Sequence, residues 1–288
     1  MTNETSQKVV LVTTIFYFFI ELYGGIHYHS LALVTDASFM AINITGQFIA
    51  LYIGRLARRR PNRTKTFGYE RAKVLSGLFN GMLVGFLLFY VFSDAYHKIL
   101  NPEPVEAFKV LVIAVIGLGV NFFGLVMLYK YSGDINIKGA VMLLLNDTLG
   151  SVGVILSSII ITYTSLYFVD PLTGVLIGLT VAYPTYTLIR DSVHILMEGN
   201  PTNVDAREVE GYIYKYFPEV VEAKDIHIWG LSPEMILAAL RIRTRQMDSQ
   251  RKTIKKLKEA LKTKYGFYDI YVESYESKRL LKRLFDQL

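Results

Sequence analysis

The chain has 288 residues, of which 52% are hydrophobic and 19% charged, and its mean hydropathy is +0.32. That is too apolar for an ordinary soluble protein of this length, and the absence of cysteine excludes disulfides and thiolate metal sites. The formal net charge of +6 sits beside the apolar segments, so it reads as membrane topology and not as a nucleic-acid footprint.

The N-terminal "MTNETSQK" carries one lysine ahead of a long apolar run and has no small-residue cleavage site, so no removable signal peptide is expected. A membrane-spanning helix needs roughly 20 mostly apolar residues. Six such stretches occur, at 9–28, 31–54, 74–97, 107–129, 139–163 and 172–190. Several hold Gly, Ser, Thr and Asn, which suit helix–helix packing in lipid. The second, "LALVTDASFMAINITGQFIALY", places Asp36 and Asn43 two helical turns apart on one face, with Phe39 between them. A polar face inside an apolar helix is a site hypothesis.

The loop "RLARRRPNRTKTFGYERAK" between spans two and three is strongly basic, whereas "HYHS" between spans one and two has no Lys or Arg. The positive-inside rule therefore places both termini in the cytoplasm. Topology accounts for the arginine cluster, and anionic lipid headgroups are its alternative partner. Which membrane holds the chain is left open.

From about residue 200 the character changes, predicting a membrane domain at 1–199 and a cytoplasmic domain at 200–288. "VDAREVEGYIYKYF" has helical spacing, and "VVEAKDIHIWGL" and "MILAALRIRTR" read as strands around the turn "SPE". The basic "SQRKTIKKLKEALKTKY" reads as an amphipathic helix, "FYDIYVESY" as a third strand, and "SKRLLKRLFDQL" as a last helix. The fold class is thus a six-helix membrane bundle followed by a small α+β, ferredoxin-like domain. No phosphate loop, nucleophile–base array or catalytic carboxylate pair stands in the soluble part, so no enzyme is expected. The basic helix reads as a solvated face, with no nucleic-acid partner.

The motifs "SLALVTDA", "TFGYERAKVLSGLFNG", "LNPEPVE", "NDTLGSVGVILSS", "VDPLTGVLIGLTVAYPTYTLIRDSVHILMEGNP" and "KDIHIWGL", in this order, resemble those of the cation diffusion facilitator family over nearly the whole chain. The resemblance implies a homodimeric exporter of divalent cations that exchanges them for protons. It also implies a midmembrane site of two ligand pairs, His or Asp followed four residues later by Asp, on spans two and five. Residues i and i+4 share a helix face, so two helices supply four ligands to a tetrahedral ion. In this chain the pairs fall on Phe39 and Asn43, and on Leu143 and Asp147. Two apolar side chains leave at most half a zinc cage.

Carboxylates also occur at Glu21, Asp36, Asp94 and Asp170. Burying one in lipid costs about 2.5–3.5 kcal/mol even on permissive scales, so each needs a partner or water. Asp94 and Asp170, near span ends, are expected to meet water. Glu21 is expected near the outer surface and, like Asp36, is structural or functional. The metal-site candidates are Asp147, Asn43 and Asp36, with Ser151, Asn80 and Asn121 as further oxygens. Oxygen-only donors suit Mn²⁺, Mg²⁺ or Ca²⁺ better than Zn²⁺. The plainer alternative is a neutral Asp147 hydrogen-bonded to Asn43. In the tail, Asp225, His227, Asp269, Glu273 and Glu276 are weak ligand candidates, with His227 more simply a packing residue beside Trp229. No cofactor is expected, and the divalent cation is cargo. The competing function is a non-transporting subunit that heterodimerises with an active paralogue; a third is a membrane sensor that signals through the tail without flux.

Overall fold

Long apolar runs become helices in lipid because every backbone N–H and C=O must be paired within the segment. The computed structural model describes residues 3–129, 135–245 and 250–275. It contains α1 (Asn3–His27), α2 (Leu31–Ala57), α3 (Arg71–Leu100), α4 (Ala107–Tyr129), α5 (Ile135–Thr164) and α6 (Val169–Leu196). All six are long and apolar enough to cross a membrane, with mean hydropathy from 1.3 to 2.6 over their best windows. Even 23 residues at 1.5 Å each exceed the roughly 30 Å hydrocarbon core.

Two compact units divide the chain: Met1–Tyr52 with Phe79–Leu188, and Ile53–Leu78 with Ile189–Leu288. In the first, Phe39 of α2 packs with Leu88 of α3, Val110 of α4, Val154 of α5 and Ile177 of α6. Small residues mark the closest helix approaches, as expected where lipid supplies no hydrophobic drive. At Gly117 of α4 an added Cβ would collide with the Tyr17 phenol of α1.

Asp170 departs from expectation. It is buried, not wetted. From the first turn of α6 its carboxylate accepts from Ser30 Oγ at 2.6 Å, Leu31 N at 2.6 Å and Ala32 N at 3.2 Å. The start of α2 leaves orphan N–H groups, and a carboxylate there satisfies them and complements the helix dipole.

In the second unit follow α7 (Ala206–Tyr216), β1 (Val220–Ser232), β2 (Met235–Thr244), α8 (Gln250–Tyr265) and β3 (Asp269–Ser274). The helix–strand–strand–helix–strand order matches the sequence reading; the expected last helix lies outside the described residues. Strand order is β1-β2-β3, with β1 and β2 antiparallel and β3 parallel to β2. The parallel pair requires a crossover, which α8 supplies. Val209 and Ile213 of α7 and Leu257 and Leu261 of α8 pack on Ile242 and Ile270 of the sheet. The lysines of α8 lie on the remaining faces, so its basic character is mostly a solvated surface.

Candidate cation site

Tyr17 and Glu21 lie one turn apart on α1. Tyr17 Oη is 3.2 Å from Glu21 Oε1 and 3.2 Å from the Ile113 carbonyl of α4. The Glu21 and Asp36 carboxyls lie beside each other, and Asp36 lies beside the Ser151 hydroxyl of α5. Ser151 Oγ donates to the Asp147 carbonyl at 3.1 Å and accepts from Asn121 Nδ2 of α4 at 3.3 Å. Asp147 stands close enough to act on Glu21 and Asp36 through space.

These side chains are deeply enclosed: Glu21 is 0%, Asn121 1%, Ser151 1%, Asp36 3% and Asp147 5% exposed. Three of their oxygens, Glu21 Oε2, Asp36 Oδ2 and Asn121 Oδ1, have no hydrogen-bond partner. Buried polar atoms are normally satisfied, so three orphans in one cluster call for an explanation. No basic side chain acts on these carboxylates among the described residues. Nor do any three His, Asp or Glu side chains among the described residues converge tightly enough to hold a metal by themselves. Neutral oxygens must complete any coordination shell here.

Of the sequence candidates, Asp36 and Asp147 share this cluster. Asn43 lies two turns along α2, half-buried, and a hydrogen bond to Asp147 is not among those of the described residues. Phe39, 4% exposed, fills the α2 face between Asp36 and Asn43, and Leu143 on α5 is half-buried. Asn121 and Ser151 are legible in the sequence as oxygens; Glu21, expected near the outer surface as a structural or functional group, is enclosed in this cluster. Its signal was the Tyr17–Glu21 spacing, a polar pair on one face of an apolar helix. Asn80 Oδ1 of α3 is likewise unpaired, set against Gly46 of α2.

The tail candidates disperse. Arg241 binds Asp225 at 3.3 Å and Glu273 at 2.7 Å, and Lys262 binds Asp269 at 2.9 Å. His227 is exposed and not packed as expected, because a bulge at Asp225 (φ 50°) shifts the register between Lys224 and His227. Glu276 lies outside the described residues. A cavity of about 1010 Å³ in this unit is lined by the 64–72 loop, Glu198, His227 and Trp229, and holds no carboxylate cluster.

Six helices able to cross a membrane, with carboxylates enclosed between them, define the class: a multi-pass integral membrane protein. Residues 8–197 match the cation efflux transmembrane domain, and the chain belongs to the cation diffusion facilitator (cation efflux) family, a family of transporters and not of enzymes. It is similar to the metal cation efflux system protein CzcD of Cupriavidus metallidurans, at 34% identity over 94% of this chain and 86% of the relative. The cadmium, cobalt and zinc/H(+)-K(+) antiporter of Bacillus subtilis is 35% identical over 80% of this chain and 76% of its own length. The zinc transporter ZitB of Escherichia coli is 32% identical over 76% and 71%.

Proposed function

We propose that the protein exports a divalent metal cation in exchange for protons, through an oxygen-donor site that departs from the family's usual ligand pairs. The observation that carries this is the enclosure of Asp36 and Asp147 together, without a basic counter-charge, beside unpartnered oxygens. Metal and proton compete for one carboxylate, which is the elementary requirement of an exchanger. Asp147 supplies a charged ligand and Asp36 a second, and Asn43 offers a neutral oxygen on the same face of α2. Phe39 and Leu143 coordinate nothing, so a tetrahedral zinc cage is not formed at those positions. The relatives are named for zinc, cobalt and cadmium. For this chain the donor set favours a harder cation such as Mn²⁺.

In this reading residues 1–199 form the membrane domain, 200–288 form a cytoplasmic tail, both termini are cytoplasmic, and the working unit is a dimer. Proteoliposome flux of Mn²⁺, Zn²⁺, Co²⁺ and Fe²⁺ tests it, wild type against Asp147→Ala. Flux of at least one metal that Asp147→Ala abolishes is expected. No flux, or equal flux in both, overturns it.

The burial of Phe39 at a ligand position favours one second reading, a non-transporting subunit paired with an active paralogue. Co-purification from native membranes with such a paralogue, together with absent autonomous flux, would establish it.

A further inference from the structure

We propose that Glu21 and Asp36, completed by Asn121 and Ser151, form a hard-cation site among α1, α2, α4 and α5, which shares Asp36 with the site read above and draws its other ligands from outside positions 39, 43, 143 and 147. The inference rests on the cation-handling reading above and names the ligands and cargo class within it.

Charge is the first argument. Two carboxylates face each other in a water-poor interior with no basic partner among the described residues. Uncompensated buried charge is costly, and one divalent cation neutralises both groups. The second argument is the set of orphaned oxygens. Glu21 Oε2, Asp36 Oδ2 and Asn121 Oδ1 come from three different helices, and each is buried without a donor. A proton shared between Glu21 and Asp36 would still leave Asn121 Oδ1 unsatisfied. A cation accepts lone pairs from all three.

The orientation of Asn121 follows from its neighbour. The Ser151 hydroxyl has one proton, which faces the Asp147 carbonyl and the neighbouring Asp36, and its oxygen accepts from Asn121 Nδ2. The amide oxygen is then the atom left over. On α1, Tyr17 Oη stands 3.2 Å from Glu21 Oε1 and leaves Oε2 free. On α5, the missing side chain of Gly150 lets the helix approach the Asp36 carboxylate. Two carboxylates, an amide oxygen and a hydroxyl are hard donors, suited to Mn²⁺, Mg²⁺ or Ca²⁺.

The probe is Mn²⁺, titrated into the purified full chain in detergent and followed by electron paramagnetic resonance, with proteoliposome flux measured in parallel. Wild type binds Mn²⁺. Glu21→Gln, which keeps the Tyr17 hydrogen bond, and Asn121→Ala each weaken binding by about 10- to 100-fold. Glu21→Asp recovers part of the loss, and Asp94→Asn, at a half-buried ion pair with Lys98 near the end of α3, leaves binding unchanged. Should Glu21→Gln not fold, as judged by size-exclusion chromatography, Asn121→Ala and Glu21→Asp carry the test. Wild-type affinity in Glu21→Gln or Asn121→Ala, or no Mn²⁺ bound by wild type, overturns the site. Binding that depends on Glu21 without flux of any metal leaves the site standing and defeats the transport reading. Flux and binding both indifferent to Glu21 do the reverse.

Discussion

Gly150 on α5 lies directly against Asp36 on α2: a Cβ at position 150 would overlap Asp36 Oδ1 and sit 2.9 Å from its Cγ. The contact joins the two helices that carry the family's ligand pairs, and the neighbour is a buried carboxylate with little room to yield. Gly150→Ala is expected to destabilise the bundle by about 1–3 kcal/mol, the usual cost of overpacking. Metal flux should fall with it. Unfolding in detergent and proteoliposome flux check this, and a Gly150→Ala protein with wild-type stability and flux would show that the contact yields freely.

Asp170 holds the start of α2 through three hydrogen bonds. Asp170→Ala orphans buried donors, at about 1–3 kcal/mol for each unsatisfied group. Asp170→Asn keeps an acceptor and should lose less. Thermal denaturation of the full chain ranks the three proteins, and equal midpoints would remove the capping role.

The ligand positions can be rebuilt. Phe39→His, Asn43→Asp and Leu143→His together with the native Asp147 restore two i, i+4 pairs. Zn²⁺ affinity should rise at least about tenfold, or 1.4 kcal/mol. Stability should drop, because Phe39 leaves an apolar cluster shared with α3, α4, α5 and α6. Isothermal titration with Zn²⁺ decides; unchanged affinity would mean that these four positions do not converge.

In the tail, Arg241 pairs with both Asp225 and Glu273 and so neutralises the two carboxylates. Asp225→Ala and His227→Ala are therefore expected to leave bound metal per chain unchanged, measured by elemental analysis after dialysis. A lost equivalent of metal in either variant would place a site in the tail.

The Lys262 ammonium, 2.9 Å from Asp269, holds that carboxyl below the usual carboxylate range. A carboxyl depressed in the folded state adds stability above its unfolded pKa, near 3.9, and loses it as pH falls through the folded value. Both side chains are about two-fifths exposed, so the effect is small, about 0.2–1 kcal/mol. Denaturation of the full chain, followed through the lone Trp229 in β1, should separate wild type from Asp269→Asn at pH 7 and by less at pH 3. A gap undiminished between pH 7 and pH 3 would rule out the ion pair as its source.

The number of membrane helices, the order of tail elements and the candidacy of Asp36 and Asp147 were determined by the sequence alone. Apolar run length and residue spacing are properties of the chain itself, and lipid admits few ways to satisfy a backbone. Glu21 and Asp170 show where that reasoning stops. Position along its own helix puts Asp170 near an end and so near water, and Glu21 toward the outer surface. Their burial depends instead on which neighbours pack against them: Tyr17 and Asp36 around Glu21, and the first turn of α2 around Asp170. His227 is the converse, a strand residue that alternation would pack and a bulge leaves exposed. The unpaired oxygens of Glu21, Asp36 and Asn121 come from α1, α2 and α4, as far as 100 residues apart in sequence. Only helix packing, set by small residues such as Gly117 and Gly150, brings them into one cluster.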